Sequence, residues 1–128
     1  MSNGTILIVD DEQDIVEALR FSLEMEGFQC LASYDGVDGL KKAKEENPDL
    51  IILDIMLPKI DGYRISRLLK FDEKYRHIPI IMLTARTQER DISTGKETGA
   101  DEYVTKPFEM DSLIGLVKHY VKPDETGA

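Results

Sequence analysis

The chain's 128 residues, 41% hydrophobic and 32% charged, suit one soluble domain long enough to bury a full core. Sixteen Lys and Arg against 25 Asp and Glu leave a net charge of −9. That balance argues against a duplex-binding surface in this domain, because phosphate backbones require a basic stripe.

The chain alternates strand-like and helix-like segments. A first strand over 5–9 precedes a helix over 14–26 with Ile15, Val16, Leu19, Ser22 and Leu23 on one face. Gly27 suits the left-handed position that ends this helix, with Phe28 folding back on its last turn. A shorter strand over 28–33 contains Cys30, the only cysteine. It excludes an internal disulfide and reads as a small apolar residue of a cytosolic protein. Asp35-Gly36 caps a second helix that stops at Asn47-Pro48, and the third strand covers 50–53. A loop with Pro58 and Asp61-Gly62 leads to a helix bearing Tyr63, Ile65, Leu68 and Leu69.

The fourth strand, 80–83, is followed by a helical stretch near 88–98 whose only large apolar residue is Ile92. Gly95 weakens that stretch by roughly 1 kcal/mol relative to alanine. It is expected to be the least firmly docked helix and a moving element. Strand five spans 102–104, and a last helix over 110–121 buries Leu113, Leu116, Val117 and Tyr120. This order predicts an α/β, flavodoxin-like, doubly wound parallel sheet of five strands in the order 2-1-3-4-5 with five helices. The expected domain covers 1–122, with 123–128 a polar tail or the start of a linker. No apolar stretch reaches spanning length, and MSNGTILIVDD lacks a basic region and a cleavage site, so the expectation is a cytoplasmic chain without its own membrane anchor.

Four apolar runs end in chemically active residues: Asp10 and Asp11, Asp54, Thr84, and Lys106 followed by Pro107. Open α/β sheets place their ligand sites at the carboxyl ends of the strands, so these endings are expected to meet. Three carboxylates in one crevice repel unless a proton or a cation intervenes, and a hard divalent ion such as Mg²⁺ takes oxygen ligands of this kind. A carboxylate such as Asp54 can accept a phosphoryl group as an acyl phosphate, with Lys106 and Thr84 serving its oxygens. Each residue alone has a plainer reading. Asp10-Asp11-Glu12 caps a helix, Lys106 is a surface lysine before a turn, and Thr84 closes a strand. A cis bond before Pro107 would hold Lys106 at a defined angle.

Asp10-Asp11, Asp54, Thr84 and Lys106-Pro107-Phe108, within ILIVDDE, LIILDIMLPKIDG, PIIMLTA and GADEYVTKPF, resemble the receiver domain of two-component response regulators, of the chemotaxis-receiver type. The resemblance runs from about Thr5 to Val121. It implies that Asp54 accepts a phosphoryl group from a sensor histidine kinase or phosphotransfer protein. It also implies Mg²⁺, or Mn²⁺ as a substitute, held by Asp11, Asp54 and the backbone carbonyl of Met56, with Asp10 acting through water. Thr84 and Tyr103 match the switch pair, through which the fourth helix, fifth strand and last helix change arrangement. By composition alone Tyr103 is an edge-strand aromatic. Phe21, off the buried stripe of the first helix, is equally a kinase contact or an isolated exposed aromatic.

The resemblance further implies a phosphorylation-dependent dimer in which Asp101, Glu102 and Lys118 could take part. Ser112 and Leu116 stand where acidic and basic residues are usual, which weakens that expectation and leaves an exposed Leu116 for a different interface. Met56 and Arg86 flank the position that tunes phosphoryl lifetime in the family. No effector domain is recognisable, so the chain is read as a single-domain regulator or part of a longer one. Two alternatives are a pseudo-receiver, an interaction module independent of phosphorylation, and a haloacid-dehalogenase-like phosphatase. The phosphatase needs an acid where Met56 stands. An FMN-binding flavodoxin would need a Ser/Thr/Gly phosphate loop where Asp10-Asp11-Glu12 stands. The expected class is therefore a non-enzyme that performs only phosphoryl transfer to itself and its own dephosphorylation.

Overall fold

The computed structural model describes residues 3–85 and 99–122. In chain order these form β1 (Thr5–Val9), α1 (Gln13–Met25), β2 (Gln29–Ser33), α2 (Gly36–Glu46) and β3 (Leu50–Asp54). They continue with α3 (Gly62–Lys70), β4 (Ile80–Ala85), β5 (Glu102–Lys106) and α4 (Met110–Tyr120). All strand pairs are parallel, and the sheet order is β2-β1-β3-β4-β5, as expected. Four of the five expected helices lie among the described residues. The helix expected near 88–98, with Ile92 and Gly95, lies outside them, as do Arg86 and the tail 123–128.

Side chains alternate across a strand, and the apolar runs therefore feed two separate cores. Ile6, Ile8, Leu50, Ile52, Ile81 and Leu83 pack with Val16, Leu19 and Leu23 of α1 and Leu113 and Val117 of α4. Their neighbours Leu7, Val9, Ile51, Leu53, Ile80 and Met82 pack with Ala43 of α2 and Ile65 and Leu69 of α3. The central strands are buried on both faces, which is why they read as unbroken Ile/Leu/Val runs.

Helix ends follow their local chemistry. Gly27 adopts φ 91°, its N–H donates to Glu24 O, and the Phe28 N–H reaches Leu23 O at 3.1 Å, which closes the end of α1. Asp35 and Asp61 cap α2 and α3 by accepting from the N–H of Asp38 at 2.8 Å and of Arg64 at 2.9 Å. In α3 the inward face is Gly62, Ile65, Ser66 and Leu69, while Leu68 is exposed. Leu68 sits one position off that i, i+3, i+4, i+7 stripe. Leu116 and Tyr120 are half-buried at the margin of the first core, so Leu116 is neither fully buried nor free.

At the amino ends of the strands, two aspartates are stitched to backbone. Asp49 accepts from the Thr5 N–H at 2.7 Å, and Asp101 accepts from the Ile80 N–H at 2.8 Å. Lys70 pairs with Asp101 at 2.9 Å and donates to the carbonyls of Ile78 at 2.8 Å and Arg76 at 3.1 Å.

Candidate functional site

β3, β4 and β5 run one or two residues past their last large apolar side chain, whereas β1 ends at Val9 and Asp10 and Asp11 follow it in the loop to α1. Asp54 is in register with Leu83, Thr84 with Thr105, and Ala85 with Lys106. The ladders thus carry Asp54, Thr84 and Lys106 to the rim as fixed backbone positions rather than as loop residues.

Asp10 is fully buried and Asp54 is 5% exposed. Asp11 is exposed, and one carboxylate oxygen from each of the three lies within 4.8 Å of the others. The Lys106 ammonium donates to Asp10 Oδ2 at 2.9 Å and Asp54 Oδ2 at 3.3 Å, and it pairs with Glu12 Oε1 at 3.6 Å. Asp10 Oδ1 accepts from the Glu12 N–H at 2.9 Å, which fixes the turn into α1. Asp54 Oδ1 accepts only a long bond, 3.4 Å, from the Met56 N–H. Burial and the nearby Asp10 charge push the Asp54 carboxyl up to about 6, against the opposing pull of Lys106. Burial acts to lower Lys106, but its hydrogen bond to Asp10 and the two carboxylate charges prevail and raise it. Lys106 is therefore the cation these carboxylates hold on to.

The remaining expected residues lie on β4 and β5 and in the loops that follow β3 and β5. Thr84 is fully buried beside Asp54's strand, with its hydroxyl donating to Ala85 O at 3.2 Å. Tyr103 is half-buried against the second core, opposite Met82 in the ladder. The Lys106–Pro107 peptide is cis. Met56 exposes its side chain at the mouth of the crevice. Sequence reasoning overlooked Glu12 as a third partner of Lys106. It also overlooked a cavity of about 490 Å³ lined by Glu12, Ile15, Ala85, Lys106, Pro107 and Phe108. Ile15 was legible only as part of the buried stripe of the first helix and Phe108 only as part of the Lys106-Pro107-Phe108 motif, since nothing in their spacing marks a shared opening.

Phe21 is 68% exposed on α1, and Met25 stands one turn beyond it, also exposed. The charged residues considered for a dimer are engaged within the chain. Asp101 pairs with Lys70, Glu102 accepts from the Tyr120 hydroxyl at 2.5 Å, and Lys118 pairs with Glu26.

The response regulator receiver domain family model matches residues 6–118. This chain belongs to that family. Over 126 residues the receiver is 44% identical to the alkaline phosphatase synthesis transcriptional regulatory protein PhoP of Bacillus subtilis, covering 98% of this chain and 52% of that protein. It therefore spans about half the length of that curated relative. Among solved structures it is similar to the signal receiver domain of a signal transduction histidine kinase from Syntrophus aciditrophicus. The two share 36% identity and a TM-score of 0.88 over 96% of this chain and 93% of the other. The BeF3-activated DrrB receiver domain is 34% identical, with a TM-score of 0.84 over 95% of this chain and 99% of the other. Among the described residues, no helix of the receiver is long and apolar enough to cross a membrane.

Proposed function

We propose that this receiver takes a phosphoryl group onto Asp54 from the phosphohistidine of a sensor histidine kinase or phosphotransfer protein. The supporting observation is the Asp54 carboxylate itself. It is nearly buried at a strand end, crowded by Asp10 and Asp11 on one side and faced by the Lys106 ammonium on the other. In the transfer, an Asp54 oxygen forms a bond to phosphorus, the P–N bond to the imidazole breaks, and the imidazole leaves with the electron pair. Lys106 lies where it can follow the charge gathering on the phosphoryl oxygens.

The donor set fits a hard divalent cation, because three carboxylate oxygens converge and no nitrogen or sulfur donor is among them. Asp11, Asp54 and the Met56 carbonyl would hold Mg²⁺, or Mn²⁺ in its place, with Asp10 acting through water. When bound, the ion supplies charge neutralisation for the transferring group. The acyl phosphate adds about −1.5 to −2 charges in the crevice. Thr84 would exchange its bond to Ala85 O for a phosphoryl oxygen, and Tyr103 would follow into the space it leaves. The surface of β5 and α4 then shifts between pre-existing arrangements.

Phe21 and Met25 are the apolar part of the face offered to the phosphodonor. The half-length match to a transcriptional regulator supports an output region beyond the receiver at 1–122, with 123–128 as the start of a linker. A cytoplasmic location and a switch without sustained turnover of small phosphate esters complete the reading.

The test is an NMR titration with Mg²⁺ and beryllofluoride, alongside mass measurement after acetyl phosphate treatment, with Asp54→Ala as control. Wild type should gain one phosphoryl group and shift resonances around Asp54, Thr84 and Tyr103, and the variant should do neither. An unresponsive wild type would instead support an interaction module independent of phosphorylation.

A further inference from the structure

The loop after Asp54 is held from behind by the start of α2. The Gly36 N–H donates to the Pro58 carbonyl at 3.0 Å, and the Ile60 N–H donates to that same carbonyl at 2.9 Å. A Cβ on Gly36 would fall 1.9 Å from the carbonyl oxygen of Ile60 and 2.8 Å from its carbon, where contacts under 3.0 Å essentially never occur. Both are backbone atoms, so no rotation of a side chain relieves the clash. Gly36 is not among the glycines with positive φ. Space, rather than backbone freedom, is what requires glycine there.

The other side of the loop is equally close. A Cβ on Gly62 would fall 2.3 Å from the Asp54 carbonyl oxygen, and the Gly62 N–H donates to Ile55 O at 2.8 Å. Asp35 anchors the α2 side by capping Asp38, and it also reaches Lys59 in the loop at 3.5 Å. The segment between Asp54 and α3 is thus clamped between two helix starts.

We infer that Gly36 is a positioning residue for the metal site: lacking a side chain, it sets where the loop lies and so where the Met56 carbonyl points. This rests on the proposed role of that carbonyl beside Asp11 and Asp54. A methyl group on Gly36 would displace backbone by on the order of 1 Å. Mg²⁺ requires near-octahedral ligands at about 2.0–2.1 Å, so a carbonyl moved that far is lost as a ligand.

The experiment is titration with MgCl₂ alone, followed by NMR, on wild type, Gly36→Ala and Leu40→Ala. Leu40 packs on the second core from the same helix, so its truncation loosens α2 while adding no atom at the Gly36–Ile60 contact. Gly36→Ala should keep its circular dichroism spectrum and bind Mg²⁺ about 10- to 100-fold more weakly. Leu40→Ala should bind like wild type. Unchanged affinity in Gly36→Ala overturns the inference, and so does an equal weakening in Leu40→Ala. Should Gly36→Ala not fold, wild type decides: on saturation with Mg²⁺ the Gly36 amide must shift together with those of Met56 and Lys59, and a stationary Gly36 amide refutes the coupling. A wild type indifferent to Mg²⁺ fails one step earlier, at the metal site itself, and takes this inference with it.

Discussion

Replacing Asp54 with Asn should stabilise the metal-free domain at neutral pH, although it removes the proposed phosphoacceptor. Asp54 is 5% exposed, and its carboxyl is pushed up to about 6 from the ordinary 3.8, chiefly by burial and then by Asp10. The folded state therefore holds a proton more tightly than the unfolded chain. Stability falls as pH rises between those two values, and the full penalty applies above the higher one. Roughly 2 pKa units at about 1.4 kcal/mol each bound the penalty near 3 kcal/mol. Asparagine keeps the shape, and Lys106 keeps its 2.9 Å bond to Asp10, but the 3.3 Å contact of Lys106 with Asp54 loses its charge. A net gain of about 1–2 kcal/mol at about pH 7.5 is expected. Urea unfolding in chelator, at about pH 4 and about pH 7.5, measures it. The gain should nearly vanish at the lower pH, and Mg²⁺ should narrow it at the higher one by stabilising wild type. A variant less stable than wild type at neutral pH, or a gain insensitive to pH, would refute the reasoning.

Three further substitutions or measurements probe the frame around the site. Asp61→Ala removes the 2.9 Å cap on Arg64 N and should cost about 1 kcal/mol in chemical unfolding; no loss would mean the cap is replaced by water at no cost. Lys70→Met strips the ammonium from Asp101 and two carbonyls and should cost about 1–3 kcal/mol. A change below about 0.5 kcal/mol would show those groups to be solvated already. Burial, then Glu24, push the Cys30 thiol up to about 11, so its modification by a disulfide reagent near neutral pH should be on the order of 100-fold slower in folded than in urea-unfolded protein. Equal rates would contradict the burial of Cys30.

Much of this molecule was readable from patterns because the governing rules are local. The Ile/Leu runs at β1, β3 and β4 announce strands buried on both faces, and Gly27, Asp35 and Asn47 mark helix ends through backbone conformation and capping. The strand boundaries were drawn short because hydrophobicity stops at Leu53, Leu83 and Val104 while the hydrogen-bond ladder does not. Whether Leu68 is buried or exposed was not legible, since a helix of nine residues offers too few turns to separate its stripe from its flank. The convergence of Asp10, Asp54 and Lys106 followed from strand order. Glu12's approach to Lys106 and the contact of Gly36 with Ile60 depend on how loops meet, which no periodicity encodes.

The aspartates at the two ends of the sheet illustrate what strand polarity imposes. Because every strand runs the same way, unpaired N–H groups gather at one rim and unpaired carbonyls at the other. Asp49 and Asp101 sit at the donor rim, where the first residues of β1 and β4 bond them directly. Asp10 and Asp54 sit at the acceptor rim, where the strand backbone has only further oxygens to offer. A carboxylate at that rim must find its counter-charge in a side chain, Lys106 at the end of β5, or in an ion from solution. Direction thus lets the strand backbone itself share in holding the carboxylates at one end of the domain and leaves those at the other to cations, which is the condition a metal-dependent switch requires.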